Sequence, residues 1–141
     1  MTLTAQALTL SGTLDERLAH LMPNERAALA ALVDRLRQRY GDDLLRVVLY
    51  GSKARGDFDD ESDLDVLIVV RIPDADYWQH RREIVNLTAD LMLEYSPVIS
   101  PLINDEATYA QLRQWDTLLN RNIEQDGVEL WNSMQSVPSF A

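Results

Sequence analysis

The 141-residue chain contains no cysteine, which removes disulfides, thiolate nucleophiles and thiolate metal sites. A reducing compartment suits such a chain, and the cytoplasm is the simplest expectation. Histidine is nearly as scarce. His20 and His80 stand far apart with no ligand pattern around either, so a histidine-built zinc site has no support. No stretch approaches the roughly eighteen apolar residues of a membrane span, and the N-terminus has no basic region followed by an apolar run. Basic side chains are outnumbered, thirteen against twenty-three acids, for a formal charge of −10. Such a surface repels a phosphate backbone, which argues against a general nucleic-acid binder and favours a cationic partner.

What remains has the proportions of an ordinary folded domain, with 46% hydrophobic and 26% charged residues. The length predicts one domain over residues 1–141, with a loose arm over about 1–13 and a flexible tail over about 133–141. Between Pro23 and Gly41, Leu29, Leu32, Val33, Leu36 and Tyr40 recur at helical spacing, leaving Arg35, Arg37 and Arg39 among the exposed positions. Leu44–Tyr50 and Leu64–Val70 are short apolar runs with the character of buried strands. A second long helix is predicted from Asp74 to about Glu94, ended by Ser96-Pro97. Val98 to Ile103 follows as a strand at an edge or a bulge, because it contains Pro101. Asn104 is placed to cap the next helix, which reaches Trp115. A further series of Leu118, Leu119 and Ile123 leads to the turn pair Asp126-Gly127, and Val128 to Trp131 forms a closing strand. The order predicts an α+β fold with a small mixed sheet packed against helices.

One segment departs from this background. Gly51-Ser52-Lys53-Ala54-Arg55-Gly56 follows the first strand directly, and Ser62-Asp63-Leu64-Asp65-Val66 opens the second. Glycine at position 51 admits a close approach that a Cβ would block, and Ser52 offers a hydroxyl and an N–H to phosphate oxygens. A short helix starting at Ala54 would add positive potential, and Lys53 and Arg55 further charge. Asp63 and Asp65, two apart at a strand start, project to one face. Their repulsion is relieved by a divalent cation, and Mg²⁺ completes its shell with substrate phosphates. A phosphate-receiving turn beside an acid pair suits phosphoryl or nucleotidyl transfer.

Gly-Ser, ten residues, then Asp-x-Asp, with the fuller string Gly51-Ser52-x-Ala54-Arg55-Gly56 and Ser62-Asp63-x-Asp65, resembles the polymerase β-like nucleotidyltransferase superfamily. The closest resemblance is to its minimal nucleotidyltransferase (MNT) branch. The resemblance implies a four-stranded nucleotidyltransferase core that takes ATP with Mg²⁺, transfers AMP to a hydroxyl and releases pyrophosphate. By position, Gly51 and Ser52 would hold the triphosphate, with Asp63 and Asp65 as catalytic metal ligands. The family's third carboxylate belongs on the third strand, and Val98–Ile103 contains none. Glu94 is the acid assigned to that task, ahead of Asp90 and Asp105. Small stand-alone members are similar to the antitoxin of HEPN/MNT toxin–antitoxin pairs, which adds AMP to a tyrosine of a HEPN ribonuclease. The same resemblance leaves two alternatives, an antitoxin that acts by binding alone and an aminoglycoside-type nucleotidyltransferase.

The other conspicuous residues have ordinary readings. Asp57, Asp59, Asp60 and Glu61 form a solvated acidic loop, and Arg81 and Arg82 an exposed helix face. Trp78, Trp115 and Trp131 are assigned to core or interface packing.

Overall fold

The computed structural model describes Leu14, residues 16–57 and residues 62–133. The predicted arm and nearly all of the predicted tail lie outside the described residues, as do residues 58–61. The elements run α1 (Pro23–Tyr40), β1 (Leu44–Tyr50), α2 (Ser52–Arg55), β2 (Leu64–Val70), α3 (Tyr77–Tyr95), β3 (Ile99–Asp105), α4 (Glu106–Trp115), α5 (Leu118–Asp126) and β4 (Val128–Asn132). The four strands form one mixed sheet in the order β3-β2-β1-β4. β1 is antiparallel to β2 and β4, whereas β2 and β3 are parallel. The predicted α+β class is the observed one.

Alternation along the strands divides the sheet into two faces. Leu64, Val66, Ile68 and Val70 of β2, with Val47 and Leu49 of β1 and Ile99 and Ile103 of β3, point to the face covered by α1 and α3. α1 contributes Ala28, Leu29, Leu32 and Leu36, and α3 contributes Ile84 and Leu91. Both helices bury one stripe at i, i+3 and i+4 spacing, as an amphipathic helix on a sheet must. They are also joined at the surface by Arg35–Glu94 at 2.6 Å and Arg39–Glu83 at 2.9 Å.

The second face is smaller. Leu45, Val48, Leu67 and Val69 meet Tyr109 of α4 and Ile123 of α5, with Tyr50 and Leu102 half-buried at the margin. A register shift between Leu44 and Arg46 turns Arg46 to this side as well. Its buried guanidinium is bidentate to Glu129 at 2.8 and 2.9 Å, donates to Glu124 at 2.7 Å, and also donates to the Tyr109 hydroxyl. Burial works against that charge, yet Glu129 and Glu124 outweigh it and hold the pKa above the usual arginine value.

Several boundaries differ from expectation. β3 begins one residue later than predicted and ends two later, because Asn104 and Asp105 continue the ladder opposite Val69 and Val70. The cap of α4 is therefore Asp105, which accepts from the Thr108 amide at 2.7 Å, and not Asn104. Pro101 does sit on a terminal strand, as predicted. Of the tryptophans, Trp131 packs beneath Arg37 and donates to the Leu44 carbonyl at 3.1 Å. Trp78 and Trp115 stand exposed and contribute nothing to the core. No helix among the described residues is long and apolar enough to cross a membrane.

Candidate active site

β1 ends at Tyr50, and the chain turns at Gly51, whose φ of 77° lies where only glycine is unstrained. The turn brings Gly51 against the start of β2. A Cβ at position 51 would stand 2.5 Å from Asp65 Oδ2 and 3.4 Å from its Cγ. Close approach was the expected reason for a glycine, and the group that approaches is the Asp65 carboxylate itself. The short helix predicted from Ala54 begins earlier, at Ser52, and both Ala54 and Arg55 donate to the Gly51 carbonyl at 3.1 Å. Ser52 thus occupies the first helical position, directly after the glycine that meets Asp65.

Asp63 and Asp65 are near enough for the charge of one to act on the other. Asp65 is half-buried opposite Tyr50 in the β1–β2 ladder, and Asp63 is exposed two residues before it. Burial pushes the Asp65 carboxyl above its ordinary pKa, and the Asp63 charge pushes it further. Burial also raises Tyr50, helped by Asp65. Two repelling carboxylates, one partly desolvated, form a donor set that a divalent cation would stabilise. Mg²⁺ takes one or two carboxylates and fills its shell with water and substrate phosphates, so this pair fits it. Among the described residues no cluster of three or more histidines and acids exists to form a complete protein cage.

Two expected contributions, those of Lys53 and Glu94, do not arrive. Lys53, assigned to phosphate, turns inward and is only 3% exposed, with its ammonium 2.7 Å from Glu25 of α1. Arg55 stays at the surface, paired with Asp57 at 3.1 Å. Glu94 is held by Arg35, in the helix layer on the opposite face of the sheet from Asp65. The spacing along α3 could not reveal which face that helix would cover. Asp90 lies on the same helix, lining a groove with Arg35, Arg39 and Glu83. Asp105 caps α4 at the far end of β3, five residues and about 16 Å of strand from the position beside Asp65. That position is Ser100. The parallel register therefore puts an exposed serine where the resemblance places a third acid.

Residues that sequence reasoning did not associate with the site surround the turn from behind. Glu25 meets Lys53, and the His20 ring nitrogen Nε2 donates to the Lys53 carbonyl. Nothing local in the sequence signals these contacts, since each joins residues about thirty positions apart.

Related proteins place the chain in a family. A family model described as "Nucleotidyltransferase domain" matches residues 29–128. A Methanocaldococcus jannaschii protein named "Putative protein adenylyltransferase MJ0604" is 32% identical over 108 residues, which are 77% of this chain and 99% of that relative. The crystal structure of "a putative nucleotidyltransferase" from Sulfolobus solfataricus shares the fold, with a TM-score of 0.51 at 23% identity over 79% of this chain and 86% of that one. A toxin–antitoxin structure with AMP-PNP aligns at a TM-score of 0.45 and 18% identity over 79% of each chain, a level of likeness that carries no inference for this protein. The match over residues 29–128 spans both strands that frame the acid pair and the turn between them, and it establishes that this chain is an enzyme of the nucleotidyltransferase family.

Proposed function

We propose that the protein is a Mg²⁺-dependent adenylyltransferase of the cytoplasm, that its acceptor is a hydroxyl, a tyrosine by family resemblance, on a HEPN ribonuclease toxin, and that it serves as that toxin's antitoxin. The observation that carries the reading is the contact between the Gly51 turn and Asp65, with Asp63 beside it. Gly51 and Ser52 receive the triphosphate, and Arg55 is the one cation of the turn left at the surface to join it. Asp63 and Asp65 would hold Mg²⁺, which would neutralise triphosphate charge and make the α-phosphorus more electrophilic. The acceptor oxygen attacks that phosphorus, the bond to the β-phosphate oxygen breaks, and pyrophosphate leaves. With Ser100 beside Asp65, the acceptor proton passes to solvent or to a group on the acceptor protein.

A protein acceptor is supported by the M. jannaschii relative, named a protein adenylyltransferase, almost all of which this chain covers. The charge of −10 suits a basic partner, whose encounter it would speed and select. The test is transfer from α-labelled ATP to the cognate HEPN protein. Label on that protein is expected, and it should vanish with Asp63→Asn/Asp65→Asn. Label that persists in this variant would overturn the assignment.

Ser100 favours one second reading, an antitoxin that neutralises its partner by binding alone. In that case the double variant would still protect cells from the toxin, and no label would appear with the unaltered chain.

A further inference from the structure

Lys53 lies in the nucleotide turn, yet its charge is directed away from the place where phosphates would sit. Its ammonium meets Glu25 Oε2 at 2.7 Å in the protein interior, and Glu25 is itself buried. The other oxygen of Glu25 accepts from the Met22 amide at 2.9 Å, so one carboxylate closes the start of α1 and grips the turn. His20 takes hold a second time by donating to the Lys53 carbonyl. The same imidazole lies close to Gly56, with its Cδ2 4.0 Å from the point a Cβ there would occupy. A four-residue helix has too few internal hydrogen bonds to hold its own position, because helix nucleation is unfavourable. Its placement must come from outside.

We propose that Glu25, Lys53 and His20 are positioning residues, a brace that fixes Gly51 and Ser52 at the distance from Asp65 where the triphosphate is received. The inference rests on the functional reading above. A buried ion pair adds little to stability compared with an apolar pair, and the best-attested use of buried polar groups is to set register, which is what this site requires. Gly51 already touches the Asp65 carboxylate, so a shift of well under an ångström changes the gap between turn and acid. Displacements of about 1 Å at such sites are costly to binding and rate.

The test compares the full-length chain with Lys53→Met, Glu25→Gln, Lys53→Arg and His20→Ala, using titration calorimetry with ATP and Mg²⁺, steady-state kinetics and thermal unfolding. Lys53→Met and Glu25→Gln should each weaken ATP binding about tenfold or more and raise KM for ATP by a similar factor, with a smaller fall in kcat. Lys53→Arg should recover most of the affinity. His20→Ala keeps the ion pair and should weaken binding about threefold. Folded Lys53→Met and Glu25→Gln that bind ATP like the parent would overturn the proposal. If those two fail to fold, His20→Ala decides, and an unchanged KM in that variant overturns it. Absence of ATP binding by the unaltered chain would instead remove the functional reading beneath the brace, a result separable from the others because it needs no variant.

Discussion

The two faces of the sheet are built from the same strands and treated in opposite ways. Toward α1 and α3, β2 sends Leu64, Val66, Ile68 and Val70, all fully buried. Toward α4 and α5 it sends Asp65, Leu67 and Val69, and the cover stops short of Asp65. One strand thereby separates cohesion from chemistry by the period of its pleat. A face whose interior is complete can tolerate repelling acids on the other side, and the end that carries them does not have to contribute to holding the domain together.

The sharpest way to break this comparison is Asp63→Asn/Asp65→Asn. Transfer should fall by at least about a hundredfold, since removing charge-stabilising groups commonly costs that much. The apo protein should meanwhile unfold at an equal or higher temperature near neutral pH. The sign follows from linkage: the folded state holds the Asp65 proton more tightly than the unfolded state, so this group's contribution to stability declines as pH rises through its folded pKa. Removing it removes the decline. A marked loss of stability in the variant would show that the acids also serve the fold.

Leu32→Ala on the closed face should cost about 2–5 kcal/mol in denaturant unfolding, the range for a fully buried leucine. Leu102→Ala, at the half-buried margin of the open face, should cost about 1 kcal/mol, in proportion to its lesser burial. Equal costs would erase the distinction between the faces. Arg46→Met tests the polar part of the smaller face. It leaves Glu129 and Glu124 without their cation and should cost about 2–3 kcal/mol, less than for a wholly buried pair because both glutamates are partly exposed. An effect as small as that of Leu102→Ala is expected from Asp105→Ala, which removes the α4 cap for about 1 kcal/mol without altering ATP binding. A change in ATP affinity there would mean that the far end of β3 communicates with the site.

The closed face was largely legible in the sequence. Leu44–Tyr50 and Leu64–Val70 are bounded on both sides by polar residues, and the α1 stripe repeats cleanly. β3 was harder, because Asn104 and Asp105 resemble a helix start and pair with β2 regardless of their polarity. Around the turn, the need for glycine at position 51 and the nearness of Asp63 to Asp65 were readable, since both follow from local geometry. Lys53 was not. Its direction depends on the rotational phase of a four-residue helix and on Glu25, a partner in another element. Glu94 misled for the complementary reason: the periodicity of α3 shows which stripe is buried but not which side of the sheet it covers. Trp78 and Trp115 show that aromatic residues in amphipathic helices need not face inward.

Pro101 has a consequence for how other proteins meet this one. Among the described residues it lies in the last strand of the four-stranded order, β3, and it has no amide hydrogen to give. A foreign chain seeking to lengthen the sheet on that flank would find an interrupted row of donors, which discourages both strand addition and fibril templating. For a binding protein arriving from that direction, side-chain complementarity is favoured over backbone pairing.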